Sequence, residues 1–150
     1  MGLPSILAAR TRLLGPACPP LPVFGPRPLR RALQAYAQLE PMRFCFHEAA
    51  ALAAPGAAPA GAAPPSDDAR AAADTLRDSL GLVRLEAVPV NHCAHAFALV
   101  LQARPRAAPG GGSEQEEGWK LVFSGDTGPC EALVAAAKGA TLLIHEVRPQ

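Results

Sequence analysis

The chain has 150 residues and a formal net charge of +1, with a pI near 7.7. One domain is the expectation at this length, and a balance this even excludes any global basic or acidic character that would by itself demand a nucleic-acid or membrane partner. Aromatics make up only 5%, and the 49% apolar share overstates the core because so much of it is Ala, which buries little area. Cys18, Cys45, Cys93 and Cys130 form no C-x-x-C pair, which argues against a structural zinc ribbon. With no secretory signal recognisable at the start, free thiols in a reducing, intracellular compartment are expected. No apolar run reaches the ~18–20 residues of a membrane helix, so no membrane partner is expected.

Residues 2–14 read as a helix with Ile6, Leu7, Leu13 and Leu14 near one face, ended by Pro16, Pro19 and Pro20. A short strand is expected at 21–24 before the Gly25-Pro26 turn. Residues 29–39 read as a helix, with Leu29, Leu33 and Tyr36 sharing a face, and 42–46 as another strand. Arg10, Arg12, Arg27, Arg30 and Arg31 precede the first acidic residue, Glu40. Alone, that bias reads either as an organelle transit peptide or as ordinary enzyme body; the single Ser and the repeated Pro argue against the former. Residues 49–65 are low-complexity Ala/Pro/Gly, expected to be a mobile insert.

Ser66 suits the N-cap of a helix over 67–80, with Asp67 and Asp68 in its first turn. Strands are expected at 82–90, 96–102 and 119–123, with a Gly/Pro/Glu-rich loop over 104–117. A helix is expected at 129–138, closed by Gly139, and then a strand at 141–144. The last strand is apolar without alternation, as in a strand covered on both faces. Alternating strands and helices make the class α/β.

Three polar motifs stand at strand ends: Val90-Asn91-His92, Ser124-Gly125-Asp126-Thr127 and Ile144-His145-Glu146. Singly, each has a plain reading: a partly buried histidine, a helix cap, ordinary strand-end polarity. Together they supply what metal-assisted hydrolysis needs. Zinc takes imidazole and carboxylate ligands, a carboxylate can bridge two ions, and a nearby His can protonate a leaving oxygen.

The wording around these motifs is specific. Val90-Asn91-His92-Cys93-Ala94-His95, then Gly118-Trp119-Lys120-Leu121-Val122-Phe123-Ser124-Gly125-Asp126-Thr127-Gly128-Pro129-Cys130, then Ala140-Thr141-Leu142-Leu143-Ile144-His145-Glu146, resemble the carboxyl half of long-form tRNase Z, a family of the metallo-β-lactamase superfamily. Gly2-Leu3-Pro4-Ser5-Ile6-Leu7 and Leu21-Pro22-Val23-Phe24-Gly25-Pro26 resemble that family too, which turns the Arg-rich start into enzyme body. The resemblance implies a partial metallo-β-lactamase αββα sandwich over 1–150 with the insert at about 49–65. It implies zinc as cofactor, two ions in a complete site, with His92 and Asp126 as metal ligands. His145 would be the proton donor and Glu146 its orienting partner, with precursor tRNA as substrate. His47 and His95 match no catalytic position and are expected to be structural or surface residues. By resemblance the work place is the nucleus, the mitochondrion or another organelle. The family's H-x-H-x-D-H motif and its later zinc histidine have no counterpart here, so the expected metal site is incomplete and the chain by itself inactive. A different metallo-β-lactamase hydrolase and a non-catalytic remnant are the rival readings.

Overall fold

The structure is a computed structural model, and it describes residues 2–54, 64–104, 106–107, 115–116 and 118–146. These fall into two compact units, Met1–Ala49 and Ala50–Gln150.

The first unit contains helix α1 (Leu3–Leu14), strand β1 (Leu21–Gly25), helix α2 (Arg27–Tyr36) and strand β2 (Phe44–Glu48). Pro4 suits the first turn of α1, where no intrahelical donor is needed, and Gly15 ends it at φ +79°. β1 and β2 pair in parallel, Val23 opposite Phe46. Leu7, Val23 and Leu33 form the core, flanked by Leu3, Leu29 and Phe44. The face of α1 differs from the expected one. Leu7, Ala8 and Thr11 are buried, while Ile6, Leu13 and Leu14 are exposed. The cause is polar: the Thr11 hydroxyl donates to the Leu7 carbonyl at 2.9 Å and accepts the Arg43 N–H at 3.0 Å. A hydroxyl so satisfied can be buried at little cost, and it rotates the helix. Tyr36, expected on the face of Leu29 and Leu33, is also exposed. His47 lies on β2, its ring tilted against Phe24 with centroids 5.1 Å apart.

A 3-10 turn, Ala49–Leu52, follows β2. Most of the expected mobile insert, residues 55–63, lies outside the described residues. The second unit comprises α3 (Asp67–Ser79), β3 (Leu82–Pro89), β4 (Phe97–Ala103), β5 (Arg106–Ala107), β6 (Gln115–Glu116), β7 (Lys120–Phe123), α4 (Glu131–Ala137) and β8 (Leu142–Ile144). Ser66 caps α3 by accepting the Ala69 N–H at 3.2 Å, as its position suggested. Within 104–117, expected as loop throughout, Arg106–Ala107 pairs with Gln115–Glu116 in a short antiparallel ladder.

The main sheet has the order β3-β4-β7-β8. β4 runs antiparallel to both β3 and β7, and β8 is parallel to β7. β3, β7 and β8 therefore point the same way and end at one edge of the sheet. Val100 opposes Val122, and Val122 opposes Leu143. On this face Val88, Val90, Ala98, Val100 and Val122 pack with Leu133 and Ala136 of α4 into the core of the unit.

β8 corrects the sequence expectation of a strand covered on both faces. Leu142, Leu143 and Ile144 are 51%, 45% and 45% exposed, and their neighbour Phe123 on β7 is exposed as well, so among the described residues nothing covers that side of the sheet there. Its register is set from β7. Lys120 N–H donates to Thr141 Oγ1 at 3.1 Å, and Thr141 N–H donates to the Lys120 carbonyl at 2.8 Å.

The buried face of α1 and α2 is testable by urea denaturation. Leu33→Ala, at a fully buried site, should cost about 2–5 kcal/mol, whereas Leu13→Ala, 84% exposed, should stay within about 0.5 kcal/mol. Equal losses would contradict the assigned faces.

Candidate functional site

His92, Asp126 and His145 each follow a strand of the common direction: β3, β7 and β8. Two loops are laced together to bring the first pair close. The Gly128 N–H donates to the Asn91 carbonyl at 2.8 Å, and Asn91 Nδ2 donates to the Pro129 carbonyl at 2.6 Å. The result places His92 Nε2 3.9 Å from Asp126 Oδ2. Asp126 is not a helix cap: α4 begins later, with Cys130 at its N-cap and no side-chain capping bond.

The loop carrying Asp126 is tied to the third motif through Ser124, which is fully buried. Its N–H donates to the Ile144 carbonyl at 2.9 Å, and its hydroxyl accepts the Glu146 N–H at 3.3 Å while donating to the Gly125 carbonyl at 2.7 Å. Gly125 sits at φ +57°, where a Cβ would lie 3.1 Å from the Phe97 carbonyl oxygen. Both the left-handed backbone and the close approach call for glycine. Ser124, Gly125 and Asn91 do the positioning, and the sequence reading gave them no such role.

His92, His145 and Glu146 line one cavity of about 780 Å³, walled by Leu133, Val134 and Leu143. Asp126 is not part of that lining and stands beside it through its neighbour His92. His145 is exposed, and its Nδ1 lies 2.6 Å from the Glu146 main-chain carbonyl. A carbonyl can only accept, so a hydrogen bond there places a proton on Nδ1. Sequence reasoning had Glu146 orient His145; the contact seen is made by the backbone of Glu146. His95 and Cys93 are exposed in the turn after His92, and the four cysteines are free thiols.

Two ligands each about 2.0–2.2 Å from one zinc ion lie at most about 4.4 Å apart, so the His92–Asp126 pair fits a shared ion. Among the described residues no group of three or more His, Cys, Asp or Glu side chains could hold a metal. Among the described residues no helix is long and apolar enough to cross a membrane.

Comparison with a solved structure gives the class. The chain matches the crystal structure of a long-form RNase Z from yeast with a TM-score of 0.72 at 15% identity, over 97% of this chain and 21% of that one. Its fold is therefore part of a metallo-β-lactamase fold. By sequence the chain is 35% identical to the mitochondrial tRNase Z TRZ3 of Arabidopsis thaliana, over 97% of its own length and 19% of the relative's. It is 36% identical to zinc phosphodiesterase ELAC protein 2 of Homo sapiens, over 97% of its length and 16% of the relative's. The chain is thus a tRNase Z-family sequence, spanning about a fifth of the length of the curated relatives it matches. No family model matches it.

The left-handed hinge beside Asp126 yields a contrast measurable by urea denaturation. Gly125→Ala should cost about 1–3 kcal/mol through strain at positive φ. Gly128→Ala, whose Cβ would meet the Asn91 carbonyl at an ordinary 3.5 Å, should change stability by no more than about 0.5 kcal/mol.

Proposed function

We propose that this chain is the part of a zinc-dependent tRNA 3′-processing endoribonuclease that carries two metal ligands and the proton donor. The observation that supports this most is that His92, Asp126, His145 and Glu146 follow β3, β7 and β8 at their common end, with His92 Nε2 3.9 Å from Asp126 Oδ2. His92 Nε2 and the Asp126 carboxylate would hold zinc. When bound, zinc supplies Lewis acidity toward a phosphoryl oxygen and lowers the pKa of water. His145, its Nδ1 proton engaged by the Glu146 carbonyl, would hold a second proton at Nε2 and pass it to the departing 3′-oxygen of the RNA. Glu146 acts by fixing that ring. The substrate would be precursor tRNA. The relatives' names, one of them mitochondrial, support work inside an organelle, and the nucleus is the alternative location.

Taken alone, the chain is proposed to be catalytically silent. A stable catalytic zinc centre needs about three protein ligands, and this reading assigns two among the described residues. A chimera tests the roles: residues 1–150 replace the aligned stretch of the Arabidopsis relative, and bound zinc and precursor-tRNA cleavage are measured together. The chimera should cut. Asp126→Ala should lose both zinc and cleavage, while His145→Ala should keep its zinc and slow turnover by about 10²–10⁴-fold. A chimera that binds zinc but leaves precursor tRNA intact would refute the substrate assignment. Zinc loss with His145→Ala would refute that residue's role.

A further inference from the structure

We propose that Lys138 is a phosphate-contacting residue of this site, its ammonium gripping an RNA phosphate next to the one that is cut; this rests on the nuclease reading above. Lys138 follows α4 with φ −56° and ψ 127°, so the chain leaves the helical path there. Its main chain is held: its carbonyl accepts Lys120 Nζ at 2.7 Å, and its N–H donates to the Ala135 carbonyl at 3.4 Å. A cation at a helix C-terminus is favourable for that backbone, but Lys120 already serves it, which leaves the Lys138 side chain uncommitted.

Lys138 is exposed and is a lining residue of the cavity that His92, His145 and Glu146 line. The other cations of the second unit with described side chains are engaged. Arg70 pairs with Asp67, Arg77 with Asp74, Arg84 with Glu86 and Arg104 with Asp78, and Lys120 caps α4. Among the described residues Lys138 makes no ion pair. A cation without a partner stands, then, at the one cavity that holds the candidate chemistry, on a wall otherwise made of Leu133, Val134, Ala137 and Leu143. A lysine is a compact charge on a flexible stem, suited to a phosphate as a point partner and indifferent to base identity. The ligand class that follows is a single RNA strand running past His92 and His145.

The test is binding of precursor tRNA to the 150-residue chain, followed by fluorescence anisotropy from 50 to 200 mM KCl. Each phosphate contact lowers the slope of log affinity against log salt by about 0.7–0.9. Lys138→Gln should flatten the slope by that amount, Lys138→Arg should restore it, and Arg77→Gln, outside the cavity, should leave it unchanged. An unchanged slope in Lys138→Gln, an equal change in Arg77→Gln, or no salt-dependent binding by the wild-type chain would each overturn the proposal. The two readings fail separately. Cleavage by the chimera with no slope change at Lys138 removes this inference and leaves the nuclease standing, while a slope change with an uncut substrate does the reverse.

Discussion

The site hangs on one buried hydroxyl. Ser124 sits where β7 ends, and three of its hydrogen bonds join that end to Ile144, Glu146 and Gly125. With no solvent to substitute, each bond lost there would leave a buried polar group unmet. The Asp126 loop and the His145 strand end therefore move as one piece. The lacing of Asn91 to Gly128 and Pro129 adds the His92 loop to the same piece. Preorganisation of this kind matters most for a metal centre, because ligand positions must hold to within fractions of an ångström.

Strand direction makes the lacing achievable. β4 alone runs against its neighbours in the main sheet, so β3, β7 and β8 deliver their following residues to one edge. Open α/β sheets place ligands at the carboxyl ends of parallel strands for the same reason. Side chains far apart in sequence meet there at no cost in loop length. α4 then closes one side of the cavity, clamped at its end by Lys120, while its Leu133 and Ala136 share a core with the sheet.

Much of this was legible in the chain. The elements stand near where periodicity, caps and breakers put them, and Ser66 caps α3 as its type suggests. His92, Asp126 and His145 announced themselves as polar residues after apolar runs. Other features needed three dimensions. The buried face of α1 includes Thr11, a residue that hydropathy counts as polar; only its two hydrogen bonds make burial tolerable. β8 has the composition of a covered strand, yet among the described residues its side chains are half exposed. Ser124 belongs to a motif whose plain reading was a helix cap, and its burial goes with the pairing of β8 on β7, which no local pattern encodes. The backbone carbonyl of Glu146 carries no side-chain signature at all.

The central claim is that His92 and Asp126 are the chain's metal-ligating pair. Nitrogen-15 NMR of the four imidazoles during zinc titration of the chain addresses it directly. The account predicts that His92 Nε2 takes the coordination shift, at weak affinity, and that Asp126→Ala abolishes it while His47 and His95 stay unmoved throughout. A coordination shift at His47 or His95 with His92 unaffected, or a His92 shift that survives Asp126→Ala undiminished, would contradict it.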